Sequence, residues 1–244
     1  MYSDYDTLAW LYNQHWGDFS QRILPVVEKL LLTQIPNGSL LLDICCGTGQ
    51  LAQLLTAKGY AVTGIDGSAE MLHYARQNAP EATFVQADAQ DFTVGTGYAG
   101  AICAYDSLNH VPDVAALRAV FGCIYQALLP GARLIFDINT DLSYRANWRG
   151  SFGEAYADHV FLVRSMYDPS TADARMDFTI FRLIETLWQR SDLTLTQHCY
   201  TEAEWRTALS TVGFAETEVY DAYAAFGMQG GSGRAIYSAR KPLT

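Results

Sequence analysis

Basic residues are scarce in this sequence, and those present are scattered. Lysines and arginines number 16 against 26 aspartates and glutamates, a net charge of −10, and Arg22, Lys29, Lys58, Arg76, Arg118 and Arg133 fall in separate segments instead of along one helix face. A surface of this sign repels phosphate backbones, so no nucleic-acid partner is expected. The five cysteines, Cys45, Cys46, Cys103, Cys123 and Cys199, form no C-x-x-C pair, which removes the usual signatures of a zinc site and of a disulfide framework and fits a reducing cytoplasm. No apolar run approaches membrane-spanning length, and the first ten residues carry acids where a secretory leader carries a basic stretch. A soluble protein without membrane partners is expected. Repeats, low-complexity tracts and flexible linkers are also lacking. What remains is 244 residues, half of them hydrophobic, enough for one sizeable core with an elaborated element attached.

From residue 39 to residue 139, short apolar runs alternate with amphipathic stretches, the pattern of βαβ units building a parallel sheet. Strands are expected at 40–44, 61–66, 83–87, 100–105 and 133–138. Helices are expected at 50–58, stopped by Gly59, at 69–78, capped by Ser68 and followed by Pro80, and at 114–128, where Val114, Leu117, Phe121, Ile124 and Leu128 repeat at helical spacing, with Pro130 and Gly131 turning the chain. A further helix is expected at 19–32. The preceding segment, with Tyr2, Tyr5, Trp10, Tyr12 and Trp16, is too aromatic for a free terminus. Between about 141 and 199 the rhythm changes to β-rich runs at 160–167, 175–183 and 193–200, separated by turn formers such as Asp168, Pro169 and Ser170. The reading is an antiparallel insert. The tail returns to order with a helix at 202–212 stopped by Gly213, a strand at 217–222, a glycine-rich turn at 227–233 and a strand at 235–240.

The most informative segment runs from Leu40 through Asp43, Cys45, Cys46, Gly47, Thr48 and Gly49 to Ala52, a buried strand passing through a tight turn into a helix. Glycine at Gly47 and Gly49 lets a ligand approach the backbone, and the amides of the helix start favour an anionic group. Gly47-x-Gly49-x-x-Ala52 also fits the dinucleotide fingerprint. Asp43 ends the strand four residues before Gly47, where a carboxylate repels a pyrophosphate and either faces a cationic amino-acid group or anchors the loop. Asp66 ends the second strand, in position to accept hydrogen bonds from ribose hydroxyls, and is followed by Gly67 and Ser68.

On these residues the chain resembles the class I S-adenosylmethionine-dependent methyltransferases, over nearly all of 36–140 and 200–241. The resemblance implies an α/β fold with a doubly wound, mostly parallel seven-stranded sheet whose last strand is antiparallel. Residues 1–140 and 200–244 would then form the cofactor-binding core with an N-terminal lid, and 141–199 an antiparallel β insert after the fifth strand, similar in position to the substrate lid of small-molecule methyltransferases. It implies S-adenosyl-L-methionine as cofactor, with Asp43, Gly47 and Gly49 in the first motif and Cys45 standing where the family's first glycine stands. It also implies Asp66 and Gly67 at the ribose, Met71, Asp88 and Ala89 around the adenine, and Ala104 and Tyr105 beside the methionine part. Tyr5, Tyr12 and Trp16 either form a lid over that part, with Tyr12 as the expected contact, or simply fasten a helix to the sheet.

Methyl transfer from a sulfonium is an in-line displacement, in which alignment and exclusion of water do most of the work. For a hydroxyl or ammonium acceptor a general base helps, and His110 and Asp106 are the candidates, with His15, His159 and His198 more remote. Alternatively His110 caps the loop before Pro112. Trp148, Arg164, Tyr167, Arg175, Phe178 and Arg182 of the insert either line an acceptor pocket, which the arginines would suit to an anion, or form a half-buried sheet. Two other functions remain open on the residues alone: a nicotinamide-dependent oxidoreductase, and a non-catalytic S-adenosylmethionine-binding module.

Overall fold

The computed structural model describes residues 2–243, the side chain of Tyr2 excepted. Two sheets organise it. The larger has seven strands: β1 (Leu40–Ile44), β2 (Ala61–Asp66), β3 (Thr83–Gln86), β4 (Tyr98–Cys103), β5 (Leu128–Asn139), β10 (Ala215–Asp221) and β11 (Arg234–Arg240), in the order β10-β11-β5-β4-β1-β2-β3. All neighbours run parallel except β11, which is antiparallel to both β5 and β10. From β1 the chain winds outward through β2 to β3, then returns to lay β4 on the other side of β1. The carboxyl ends of β1 and β4 therefore border the crevice where an open α/β sheet takes its ligands.

Apolar side chains cover both faces of this sheet. On one face α5 (Val114–Ala127) and α7 (Glu202–Val212) bury Leu117, Phe121, Trp205 and Leu209 against Phe136 and Tyr237. On the other, α2 (Phe19–Leu30) and α3 (Gln50–Ala57) bury Ile23, Val27, Leu51 and Leu55 against Leu41 and Ile135. The helix ends follow local chemistry. Ser68 caps α4 (Ala69–Asn78) by accepting from the N–H of Met71, Thr201 and Glu204 form a reciprocal capping box on α7, and Gly213 ends α7 at φ +113°.

The second sheet is antiparallel, with order β6-β7-β8-β9: β6 (Gly150–Ala155), β7 (His159–Asp168), β8 (Asp173–Ile184) and β9 (Leu187–His198). It leaves the main sheet after β5 through α6 (Asp141–Asn147). The first helix, α1 (Tyr2–His15), lies under it, burying Leu8 and Leu11 among Phe161, Val163, Phe178, Ile180, Leu193 and Leu195. Each such leucine is worth about 1.5–3 kcal/mol on full burial, so α1 is part of the fold. Among the described residues, no helix is long and apolar enough to cross a membrane.

Differences from the sequence reading have local causes. β4 ends at Cys103, not 105, because Tyr105 and Asp106 turn to positive φ. Pro130 and Gly131 do not separate elements. They lie in a bulge of β5, between the pairings Tyr98 with Leu128 and Gly100 with Arg133. The helix expected to 32 stops at Leu30, with a 3-10 turn at Leu32–Gln34 after it. The strands of the insert are longer than their apolar runs, and β6, α6 and a short α8 (Ala222–Phe226) add to them.

Candidate active site

The loop from β1 into α3 carries the first group of candidate residues. Gly47 has φ +54° and Gly49 φ +81°, but the two glycines serve different neighbours. A Cβ at Gly47 would face the Tyr12 ring at 3.7 Å, across the cavity wall, whereas one at Gly49 would fall 2.9 Å from the Cα of Ala75 on α4. Gly49 therefore admits a helix backbone and not a ligand. Asp66 ties this loop to the next: one carboxylate oxygen accepts the N–H of Gly47 and the other the N–H of Ser68, both at 2.9 Å. Asp43, 2% exposed, has a buried Oδ2 without a hydrogen-bond partner. Burial and then the charge of Asp66 lift its carboxyl to about 8. Burial also raises Asp66, with the N–H groups of Ser68 and Gly47 pulling it back. Two carboxyls held up in this way invite a cation.

A second group sits where β4 ends. Tyr105 (φ +64°) and Asp106 (φ +47°) are consecutive non-glycine residues in the left-handed region, a conformation that costs about 1–3 kcal/mol per residue and persists only where surroundings enforce it. Asp137 of β5, fully buried, enforces it. Its Oδ1 accepts the N–H of Tyr105 at 2.6 Å and its Oδ2 the N–H of Asp106 at 3.0 Å. Arg234, the first residue of β11, bridges the two carboxylates, 2.6 Å from Asp106 Oδ1 and in direct contact with Asp137 Oδ2. Its guanidinium also lies 4.9 Å over the Phe19 ring, which stacks on Tyr105 at 4.3 Å.

Between these groups lies a cavity of about 440 Å³, roofed by α1 and the antiparallel sheet. Cys45, Gly47, Asp66, Gly67 and Met71 line it from one side, Asp88, Ala89, Tyr105, Asp106 and His110 from others, and Tyr12 from above. Asp43, Gly49 and Ala104 do not: Asp43 is beneath the loop, Gly49 faces α4, and Ala104 offers its carbonyl to the Ser107 hydroxyl at 2.8 Å. The roof is fastened by polar contacts. The Ser68 hydroxyl donates to Asp6 Oδ1 at 2.6 Å and the Glu70 N–H at 3.1 Å, so α1 helps cap α4.

His110 is held on both ring nitrogens. Nδ1 lies 2.8 Å from the Thr196 carbonyl and must carry the proton. Nε2 is then the acceptor, facing the Tyr5 hydroxyl at 3.0 Å and the Gln197 amide at 2.8 Å. Gln197 donates its other N–H to Asp106 Oδ2 at 2.6 Å and accepts from the Tyr144 hydroxyl at 2.7 Å. Burial lowers the pKa of His110, against opposing pulls from Asp106 and the Thr196 carbonyl. The result is a neutral imidazole whose basic nitrogen faces a phenol and an amide at the cavity wall.

The other histidines are elsewhere: His15 and His159 meet each other, and His198 pairs with Asp173 at 2.8 Å. Of the insert residues, Trp148 and Phe178 line the cavity, Tyr167 and Arg175 line a neighbouring open groove, Arg164 is exposed, and Arg182 lies over the Trp10 ring at 4.1 Å. None of Arg164, Arg175 and Arg182 lines the cavity. Its guanidinium groups come instead from Arg22 and Arg234. Sequence reasoning missed Asp137, Arg234 and Gln197. The one available signal was a lone carboxylate inside the otherwise apolar run from Leu134 to Ile138.

Comparison with known proteins agrees with this geometry. Residues 41–131 match the family described as a methyltransferase domain. The chain is 28% identical over 111 residues, 46% of its length and 47% of the relative's, to the dTDP-3-amino-3,4,6-trideoxy-alpha-D-glucopyranose N,N-dimethyltransferase of Streptomyces venezuelae. It is 33% identical over 137 residues, 49% of its length and 47% of the relative's, to the 18S rRNA (guanine-N(7))-methyltransferase RID2 of Arabidopsis thaliana. The crystal structure of an S-adenosylmethionine-dependent methyltransferase from Clostridium acetobutylicum superposes with a TM-score of 0.77 over 98% of this chain and 99% of that one, at 19% identity, a likeness of fold.

Proposed function

We propose that the chain, which carries a methyltransferase domain over residues 41–131, is a class I S-adenosylmethionine-dependent methyltransferase that transfers the methyl group to an oxygen or nitrogen atom of a small-molecule acceptor. The observation that carries this reading is the roofed cavity, acidic at the β1–β2 end and lined at the other by the His110–Gln197–Asp106 network. The cofactor supplies an activated methyl group on a positively charged sulfur. The orphaned carboxylate of Asp43 and the cradle at Gly47 fit such a cation.

In this reading Asp66 binds the ribose hydroxyls, with Gly67 beside them, and Met71, Asp88 and Ala89 surround the adenine. Gly47, Cys45 and Tyr105 run along the amino-acid arm, and Tyr12 closes over it, whereas Ala104, outside the cavity lining, is not assigned to the cofactor. Asp43 acts through the field beneath the loop. Gly49 is assigned to helix packing, not to cofactor contact. His110 and Asp106 face the acceptor. An acceptor hydroxyl or amine that displaces the Tyr5 hydroxyl or the Gln197 amide from Nε2 meets a neutral base oriented by the Thr196 carbonyl. The roof excludes water from the displacement.

A small acceptor is supported by the net charge of −10 and by arginines on the antiparallel sheet that pair locally, Arg175 with Asp177 at 2.6 Å and Arg190 with Asp192 at 2.8 Å, leaving no basic track for a phosphate backbone. The relative acting on an amino sugar supports an amine among the acceptors to be tried first. The test is transfer of labelled methyl from S-adenosylmethionine to a panel of small amines and alcohols and, in parallel, to total RNA. Label entering small molecules is the expected result. Label entering RNA alone would overturn the reading.

A further inference from the structure

We infer that Asp137, seated by Arg234, is a positioning residue for methyl transfer: it holds the Tyr105–Asp106 bend in the shape that the amino-acid arm of the cofactor and the acceptor both meet. The inference rests on the reading of the cavity given above.

Asp137 does not line the cavity. It occupies a fully buried position in an apolar strand, where a carboxylate is costly unless each oxygen has partners. Strand register explains its reach. Phe136 pairs with Cys103, the last residue of β4, so Asp137 stands beside the point where the chain leaves the sheet. Its two oxygens take the next free amides, those of Tyr105 and Asp106. A carboxylate can accept from two consecutive N–H groups and from a guanidinium at once. An asparagine of the same shape would turn an N–H group toward one of those donors. On the other side, Ile236 of β11 pairs with Asp137, and Arg234, two residues earlier, reaches back to join it to Asp106.

The bend has two products. Tyr105 is laid flat on Phe19 at the cavity wall. Asp106 is delivered to the Gln197 amide, whose second N–H reaches His110 Nε2. Asp137 thus touches neither ligand and shapes both contacts.

The experiment compares binding of S-adenosylhomocysteine with that of 5′-methylthioadenosine, the same thioether nucleoside without the amino-acid arm, to the full chain and to Asp137→Asn. The expected result is a loss of about tenfold or more for S-adenosylhomocysteine with a change under about twofold for 5′-methylthioadenosine. A merely structural role would weaken both alike. Equal losses, or none, would overturn the inference. If Asp137→Asn does not fold, Arg234→Lys, which keeps the charge but loses the fork that spans two carboxylates, carries the same comparison with the same outcomes. Failure of the unaltered chain to bind either nucleoside would instead refute the cavity reading, and the inference with it.

Discussion

The Nε2 atoms of His15 and His159 lie 2.8 Å apart, joining α1 to β7 by a hydrogen bond between two imidazoles. Asp158 Oδ1, 2.7 Å from His159 Nδ1, fixes the proton there, so His159 accepts and His15 donates. Tyr156, stacked on His159, and Trp10, edge-on to it, close the site, with Glu154 and Arg182 the remaining charges near the pair. Burial, then His159, lowers the pKa of His15, with Glu154 opposing. The unfolded chain therefore takes up this proton first. The stability the contact contributes is whole above the ordinary value of 6.5 and is lost as pH falls below it. The protection factors of the amides of residues 10–16, exchange corrected for its intrinsic dependence on hydroxide, should fall between about pH 7.5 and about pH 5.5, and His15→Phe should lose most of that fall. Protection factors indifferent to pH in the unaltered chain would contradict this account.

The two glycines of the β1–α3 loop should separate on mutation. Gly49→Ala meets the Ala75 backbone at 2.9 Å in addition to its positive φ and should lower the melting temperature by several degrees, corresponding to about 2–4 kcal/mol. Gly47→Ala has ordinary contact with Tyr12 and should cost stability about 1–2 kcal/mol through φ alone, while S-adenosylhomocysteine binding, followed by calorimetry, drops further. Comparable binding losses in both variants after correction for unfolding would count against the assignment.

Asp43 should behave as a carboxylate waiting for a cation. Its folded pKa of about 8 is above its unfolded value of 3.8, so its contribution to stability is present below 3.8 and is lost as pH rises through 8. Asp43→Asn should accordingly raise the melting temperature of the ligand-free protein more at alkaline than at acid pH. It should also weaken S-adenosylmethionine binding. A lower melting temperature at alkaline pH would show that the buried oxygen has a partner.

His110→Gln should reduce methyl transfer by about 10²-fold or more, within the range of general-base catalysis, with cofactor affinity nearly unchanged. Tyr5→Phe, which removes the hydroxyl competing for Nε2, should alter the rate far less. If the histidine variant transfers methyl groups at the original rate, His110 only fastens the roof.

Much of the core was legible because its strands are continuous apolar runs and its helices carry local start and stop signals. β1, β2, α4 and α7 have the boundaries read from sequence, and Asp66, Met71 and His110 reach the cavity. The rest was written in long-range partners. Nothing near Asp137 in sequence announces that Arg234 neutralises it, 97 residues away. Gly49 resembles a ligand-contact glycine until Ala75 is packed beside it. Alternation in the antiparallel sheet gave the strands but not their inner face: Arg164 and Arg175 proved to be on the outer one, while Arg182 follows Phe178 and Ile180 on the inner side and lies over the Trp10 ring.

Arg234 belongs to the last strand that the main sheet receives. Without that strand Asp106 and Asp137 would lack the guanidinium that joins them, and the Tyr105–Asp106 bend would lose the ion pair that closes it. If the cavity acts as proposed, completing the sheet also completes the pocket, and a chain that lacks its final hairpin would be expected to lose methyl transfer.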